Sequence, residues 1–252
     1  MTFHIITLFP ESISSYLNES ILKRAQEDGL IKVKFYNPRD YAVSAKKIAK
    51  TYAERRVDDK PYGGGPGMVI EALPVIRAIE KAVGKKLSEG KKNEKRKNEA
   101  KKVKIIFFAP GATQFTNEKA EKFAKSYTDI VFVCGRYEGI DARIKKVFKM
   151  EDISVGPFVL TGGEVPAMIL IDCISRQIKG VLGNFTSLED SRIASSEVYT
   201  RPEVFEYKKK KYHVPKVLLS GNHKLIDEWR AKRAKTPESP DVDACCGECK
   251  HC

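Results

Sequence analysis

The chain has 252 residues and carries 46 Lys and Arg against 33 Asp and Glu, which gives a formal net charge of +13. This length is sufficient to bury a hydrophobic core, and this charge favours polyanionic partners such as nucleic acid. Charged residues interrupt every apolar run before it reaches the roughly 18 consecutive apolar residues of a membrane span, so we expect no membrane-spanning segment.

The cellular compartment can be predicted from the first residues and from the cysteines. The segment MTFHIITLFPES has no basic leader of the kind that begins a secretory signal. Only Cys134 and Cys173 lie in the body of the chain, and the other four cysteines lie in the tail, which is unlike a secreted disulfide framework. We therefore expect a cytoplasmic protein.

Short runs rich in β-branched and aromatic residues, bounded by Pro, Gly or Asn, predict four strands. They are Phe3–Phe9, Ile31–Tyr36, Val103–Phe108 and Ile130–Val133. Glycine-rich clusters stand where strands should end, at Tyr62–Met68, Ala109–Ala112, Cys134–Gly139 and Val155–Glu164. Glycine allows a backbone to approach a ligand closely, and open α/β sheets bind ligands at the carboxyl ends of strands. We expect these loops to form one ligand-binding site together. The alternative for each loop is an ordinary turn without a ligand.

Apolar residues at helical spacing predict helices between the strands. They cover Ser12–Asp28, which Gly29 ends, Leu73–Val83 and Lys119–Tyr127. The segment Val165–Ile178 is apolar on nearly all sides, so that helix should be buried against the sheet or a partner subunit. Alternating strands and helices predict an α/β fold with a mostly parallel sheet.

Changes in composition divide the chain into a body (1–180), a linker (181–196), a basic unit (197–236) and a tail (237–252). Within the body, the lysine-rich segment 85–104 predicts an exposed helix extension or mobile loop, with an RNA-binding arm as the alternative. The basic unit contains Lys208–Lys211 beside aromatic residues. We predict a small helical unit that contacts RNA, a solvated surface being the alternative.

The tail and the ionisable residues leave alternatives open. Cys246, Cys249 and Cys252 have the spacing of a zinc or iron–sulfur site, although a frayed terminus would look the same. The simplest interpretation of Asp190 is a helix cap. Arg176 follows Asp172 by four residues, so its simplest interpretation is a partner in an intrahelical ion pair. Glu138 and Asp141 could cap a helix or hold a cation or a ribose hydroxyl. The four histidines form no recognisable nucleophile triad, which disfavours a hydrolase.

Several blocks of sequence resemble a known family. They are Asn37–Tyr41, Arg56–Met68, Cys134–Asp141, Leu160–Glu164, Tyr199–Pro202, Ser220–His223 and Trp229–Arg230. The chain resembles the TrmD family, the bacterial tRNA (guanine-N1)-methyltransferases of the SPOUT superfamily, from Met1 to about Lys235. Two loops depart from the family pattern: Pro110-Gly111-Ala112 replaces the usual Pro-Gln-Gly, and Gly156-Pro157-Phe158 replaces the usual Gly-Asp-Tyr.

The resemblance implies a SPOUT α/β domain with a deep trefoil knot, followed by a linker and a small helical C-terminal domain that binds tRNA. It also implies a homodimer with active sites between the subunits. There S-adenosylmethionine would donate a methyl group to N1 of guanosine 37 in tRNA, with a preference for guanosine at position 36. A Mg²⁺ requirement is implied as well, without an indication of its ligands.

The resemblance further implies roles for individual residues. The general base of the family maps onto Asp190, and its partner arginine onto Arg176, which would stabilise negative charge on guanine O6 or orient the base. The residues that would bind the donor are Pro110, Gly135, Tyr137, Glu138, Gly139, Val155, Gly156, Pro157, Phe158, Val159, Leu160, Gly162 and Gly163. Two other activities compete with this one: a non-catalytic RNA-binding protein on the same scaffold, and a metal or redox sensor built on the cysteine tail.

Overall fold

The structure is a computed structural model, and it describes residues 1–42, 55–84, 102–182 and 197–234. The backbone divides into two compact units, Met1–Gly183 and Asn184–Cys252. Most of the lysine-rich segment, the linker residues 183–196 and the cysteine tail lie outside the described residues. Among the residues that are described, no helix is long and apolar enough to cross a membrane.

The first unit alternates strands and helices as the sequence predicts. Its strands are β1 (Thr2–Ile6), β2 (Lys32–Tyr36), β3 (Asp58–Asp59), β4 (Val69–Ile70), β5 (Val103–Gln114), β6 (Asp129–Val133) and β7 (Glu151–Ser154). Its helices are α1 (Glu11–Leu17), α2 (Ser20–Glu27), α3 (Ala72–Val83), α4 (Asn117–Ser126), α5 (Ile144–Val147) and α6 (Glu164–Arg176), with a short 3-10 helix at Pro38–Tyr41.

Five strands form one sheet in the order β2-β1-β6-β5-β7, and every neighbouring pair is parallel. The short strands β3 and β4 pair antiparallel apart from it. The predicted α/β fold with a mostly parallel sheet is thus confirmed. Strand β7 has the sequence EDIS and was not predicted, because two carboxylates precede its apolar residue and leave no alternating pattern.

The hydrophobic core lies on both faces of this sheet. In β6, Ile130 and Phe132 belong to the cluster that includes α4 and α6, whereas Val131 and Val133 belong to the cluster that includes α3. All five residues of β6 are therefore buried. A parallel strand covered on both faces needs a continuous apolar run rather than an alternating one, which is the pattern that the sequence shows.

Three predicted boundaries are wrong, and the first is that of β1, which ends at Ile6 rather than at Phe9. The single helix expected over Ser12–Asp28 is two helices, because Ser20 has φ +50°, which is outside the helical region and turns the chain between α1 and α2. Strand β5 continues past Phe108 to Gln114, but its pairing with β7 shifts: both Phe108 and Thr113 pair with Ile153. Residues 109–112 thus bulge out of the regular ladder between β5 and the edge strand β7.

The second unit contains a hairpin of β8 (Val204–Tyr207) and β9 (Lys210–His213), followed by α7 (Lys216–Leu219) and α8 (His223–Ala234). Its described part is therefore a mixture of strands and helices, and the hairpin was not predicted. The reason is the turn, where Lys208 and Lys209 have φ +50° and +62°. Glycine and asparagine usually occupy such positions, so two lysines give no hairpin signal.

Candidate functional site

A cavity of about 520 Å³ lies at the carboxyl ends of β5, β6 and β7. Three segments surround it: the part of β5 from Phe107 to Pro110, the loop after β6, and the segment after β7 that leads into α6. In parallel sheets the carboxyl ends of strands meet at one edge, so loops distant in sequence converge there. The volume falls within the range of about 300–1,000 Å³ that is typical of small-molecule sites.

The structure brings together most of the residues that the sequence analysis assigned to the donor. Those that line the cavity are Pro110, Gly135, Tyr137, Glu138, Gly139, Val155, Gly156, Phe158, Val159, Leu160, Gly162 and Gly163. Pro157 lies in the same loop but is not among the lining residues. The sequence analysis did not assign further lining residues, including Arg136, Ser154 and Thr161. Ser154 ends β7, the strand that was not predicted.

The loop after β6 is held in an unusual conformation. Tyr137 has φ +59°, a left-handed value that is uncommon without glycine and tends to occur at functional sites. The adjacent strand β4 and its approach hold this loop: Glu138 donates its N–H to the Met68 carbonyl at 3.0 Å, and Ile70 donates to the Gly139 carbonyl at 3.0 Å. The glycine-rich segment that ends at Met68 thus helps to hold the cavity loop that follows β6.

The segment after β7 lies directly against the end of β6. Gly163 donates its N–H to the Gly135 carbonyl at 3.0 Å. A Cβ added at Gly163 would lie 2.6 Å from Cys134 Cα, so only glycine permits this approach of two backbones. Cys134 itself is in the core, and burial raises the pKa of its thiol, which keeps it protonated and unreactive.

A buried carboxylate at the start of α6 joins three segments around the cavity. Glu164 is 2% exposed and accepts a hydrogen bond of 2.7 Å from Thr7 Oγ1, which in turn accepts one from the Phe9 N–H. Arg136 Nε lies 2.9 Å from Glu164 Oε2, an ion pair without the alignment of a hydrogen bond. The Arg136 guanidinium also lies 4.9 Å from the centre of the Phe9 ring. The sequence analysis quoted Glu164 only as part of a motif and gave it no role.

The segment after β7 carries apolar side chains as well as glycine. Phe158, Val159 and Leu160 are exposed although they line the cavity. The Phe158 ring lies over Gly156, where an added Cβ would be 2.3 Å from a ring carbon. These three side chains therefore form an apolar wall of the cavity.

The two residues expected to act on the base lie away from this cavity or outside the described residues. Asp190 lies outside them. Arg176 is the last residue of α6 and is not among the lining residues of the cavity. Asp172, one turn before Arg176, accepts a hydrogen bond of 2.6 Å from the Tyr16 hydroxyl.

Acidic residues around the cavity have separate roles. Asp141 accepts hydrogen bonds from the backbone N–H of Arg143 at 2.9 Å and from its guanidinium, which lowers the pKa of Asp141, so it caps a turn. Glu138 lines the cavity. Within the described ranges, no group of three or more His, Cys, Asp or Glu side chains could hold a metal ion. The Mg²⁺ requirement that the resemblance implies stays a prediction.

Comparisons with known proteins show the family of the chain. A sequence model of the family described as tRNA (Guanine-1)-methyltransferase TrmD matches residues 1–239. A protein of Lachnoclostridium phytofermentans is 40% identical, with 93% of this chain and 86% of the relative covered. For Clostridioides difficile the identity is 40%, with 93% and 92% covered, and for Staphylococcus epidermidis it is 42%, with 91% and 84% covered. All three relatives are named tRNA (guanine-N(1)-)-methyltransferase.

Proposed function

Because the chain belongs to the TrmD family of tRNA (guanine-1)-methyltransferases, we propose that it transfers a methyl group from S-adenosylmethionine to N1 of guanosine 37 in tRNA. Relatives at about 40% identity over most of the chain carry the name of this enzyme, which favours catalysis over the non-catalytic RNA-binding alternative. The observation that carries the proposal is the glycine-lined cavity at the carboxyl ends of β5, β6 and β7.

The cavity fits the methyl donor in size and in chemistry. Its glycines, among them Gly135, Gly139 and Gly162, leave backbone groups accessible to a ligand, and Glu138 supplies a carboxylate that could accept hydrogen bonds from ribose hydroxyls. Phe158, Val159 and Leu160 supply apolar surface. When bound, S-adenosylmethionine supplies an electrophilic methyl group on a sulfonium, so the protein has to align the two reactants more than to activate the donor.

The acceptor nitrogen needs help from the protein. N1 of guanine carries a proton at neutral pH and becomes a competent nucleophile as that proton leaves. We propose that Asp190 accepts this proton and that Arg176 stabilises the negative charge that develops on guanine O6. Both roles come from the match with the family. The bond between N1 and the methyl group would form as the bond between the methyl group and the sulfonium sulfur breaks. S-adenosylhomocysteine is then the leaving group, and the proton from N1 is on Asp190.

The position of Arg176 supports an active site that is shared by two subunits. Pro166 lines the cavity near the start of α6, and Arg176 follows it by ten residues on the same helix. At 1.5 Å per residue the two lie about 15 Å apart along the helix axis, farther than an arginine side chain reaches. We propose that the partner subunit's Arg176 acts at the cavity of this chain.

An exposed apolar stripe on α6 supports the same homodimer. Val165 and Ile169 lie one turn apart on one side of the helix and are 47% and 38% exposed. Val159 and Leu160, in the segment before α6, are exposed as well. Adjacent exposed apolar side chains of this size are typical of protein interfaces. The sequence analysis expects this helix to be buried against the sheet or a partner subunit. One side of the helix packs in the core, and we propose a partner subunit for the other side.

The path of the chain around the cavity supports the trefoil knot that the family implies. Strands β6 and β7 are separated in the sheet by β5, yet Gly163, which follows β7, is bonded to Gly135, which follows β6. The segment from β7 to α6 must therefore cross the end of β5. A chain that passes through an earlier loop needs such a crossing, although chains of this kind are rare.

The compartment that we propose is the cytoplasm, where tRNA is modified. No disulfide joins the two cysteines that the structure describes, Cys134 and Cys173, which suits a reducing compartment. The family also implies that the second unit contacts tRNA, and we propose this for residues 197–236.

One experiment tests the proposed reaction directly. Purified protein is incubated with S-adenosylmethionine labelled in its methyl group and with two tRNA transcripts, one with guanosine and one with adenosine at position 37. We expect label only in the first transcript. Label in both transcripts would refute the assigned position. Label in neither, together with no donor binding in calorimetry, would favour the non-catalytic RNA-binding protein.

A further inference from the structure

The hairpin of the second unit has two chemically different faces. Residues paired across an antiparallel hairpin point to the same side, and successive residues alternate. Phe205 pairs with Tyr212 and Tyr207 with Lys210, so these four side chains share one face, which we call the aromatic face. The opposite face has Val204 paired with His213 and Glu206 paired with Lys211.

The aromatic face is open to solvent although it is largely apolar. Phe205, Tyr207 and Tyr212 are 57%, 59% and 41% exposed. The rings of Phe205 and Tyr212 are stacked, with centroids 5.1 Å apart and planes inclined by 12°. Three large exposed rings side by side are unusual on a surface without a partner, and a stacked pair offers a flat outer surface.

Positive charge surrounds these rings. The segment from Val204 to His213 contains four lysines and one glutamate. Lys208 Nζ lies 5.3 Å from the centre of the Tyr207 ring, and Lys210 Nζ lies 5.6 Å from that of Tyr212. Lysines beside flat exposed rings are complementary to a ligand with planar groups and negative charges in alternation. A single-stranded nucleic acid has this chemistry, because its bases stack on aromatic rings while its phosphates contact lysines.

We infer that the aromatic face binds unpaired nucleotides of the RNA substrate, with a base stacked on Phe205 and Tyr212 and phosphates held by Lys208 and Lys210. Bases inside a duplex are already stacked on their neighbours and expose only their edges, so a paired stem could contact the lysines but not the rings. The surface would therefore select a looped over a fully paired RNA. This inference rests on the proposed function only in taking the RNA to be tRNA.

The test uses the full chain and two RNA probes, a stem–loop and a fully paired duplex of equal length. The double variant F205L/Y212L keeps apolar side chains in the hairpin but removes the stacking rings. Its matched control, H213L, changes a ring on the opposite face. Loss of base stacking should weaken stem–loop binding by at least about fivefold, whereas duplex binding should change by less than about twofold. The control should bind both probes like the unaltered chain.

Several results would overturn the inference. Equal weakening on both probes would indicate a surface that holds phosphates only, and unchanged stem–loop binding in F205L/Y212L would indicate that the face is not used. A photo-crosslinking experiment on the unaltered chain, with 4-thiouridine in the loop, does not depend on the folding of variants. Crosslinks should map to Phe205, Tyr207 or Tyr212, and crosslinks confined to other residues would refute the inference.

Failure of the hairpin surface can be distinguished from failure of the proposed enzyme activity. If the unaltered chain methylates tRNA and F205L/Y212L binds the stem–loop normally, the surface is refuted and the enzyme stands. If the unaltered chain does not methylate tRNA but the variant loses stem–loop binding, the surface stands as an RNA-binding site and the enzyme is refuted.

Discussion

Gly163 donates its backbone N–H to the carbonyl oxygen of Gly135 at 3.0 Å, although the strands that precede the two residues are not neighbours in the sheet. This hydrogen bond closes one side of the cavity. It is possible because Gly163 has no Cβ, which would lie 2.6 Å from Cys134 Cα. The loop after β6 and the segment after β7, which both line the cavity, are therefore held together by the close approach of their backbones.

Replacing Gly163 by alanine should separate these loops. Overpacking of this kind usually costs about 1–3 kcal/mol of folding free energy, and the shift should also weaken binding of S-adenosylmethionine. Calorimetry and thermal unfolding measure the two effects. Gly111→Ala is the matched control, because an added Cβ there meets nothing within 4 Å. Normal donor affinity in Gly163→Ala would contradict the assignment of these loops to the donor.

Replacing Asp190 by asparagine should remove the proposed general base. We expect methyl transfer to fall by about 10²- to 10⁴-fold, the usual contribution of general base catalysis, with donor binding and fold retained. Single-turnover rates with labelled donor measure this. Glu189→Gln, which removes the neighbouring carboxylate, should leave the rate unchanged. A rate for Asp190→Asn within about twofold of the unaltered chain would refute the role of Asp190.

Replacing Arg176 by alanine should lower turnover more than it lowers stability, because we assign the guanidinium to the charge on guanine O6. Removing one such donor commonly costs about 10²- to 10³-fold in rate. Turnover and melting temperature are measured on the same preparation, with Lys179→Ala as the control for loss of a nearby exposed charge. A large fall in melting temperature without a kinetic defect in the folded protein would instead indicate a structural ion pair.

Mixing two inactive variants tests whether the site is shared between subunits. Arg176→Ala supplies an intact cavity, and Gly163→Val, with its cavity disrupted, supplies an intact Arg176. After unfolding and refolding together in equal amounts, half of the dimers should be mixed and each should contain one complete site. About a quarter of the unaltered activity should return. If cavity and arginine had to come from one chain, no activity would return.

The hydrogen bond from Tyr16 to Asp172 should be visible in an alkaline titration. It raises the pKa of Tyr16 from 10.0 to about 12, with burial as a lesser cause. Because the folded-state pKa is the higher one, the contribution to stability is complete below pH 10 and is lost as the pH rises toward 12. The ultraviolet difference spectrum between the unaltered chain and Tyr16→Phe should show one phenol that ionises near pH 12. Ionisation near pH 10 would contradict the hydrogen bond. Tyr62→Phe, which removes a fully exposed phenol, is the control.

The sequence predicts those parts of the fold that local patterns encode. Ile130–Val133 is apolar throughout because both faces of β6 are covered, and the glycine clusters follow strands because loops converge at one sheet edge. The break at Ser20 could not be predicted, since Ile21 and Leu22 continue the helical spacing across it. The sequence motifs also give no indication that Arg176 lies about 15 Å along α6 from the lining of the cavity. That distance matters for the reaction only if a second subunit supplies the arginine.

The Glu164 carboxylate has a consequence for motions of the chain. Its contacts with Thr7 and Arg136 join the end of β1, the loop after β6 and the first turn of α6. If any one of these segments opened, the buried Glu164 carboxylate would lose a partner. The free energy of the other two segments in their closed positions would then rise as well. They should consequently fluctuate as one cooperative unit, in which hydrogen exchange gives the amides of all three segments the same opening free energy.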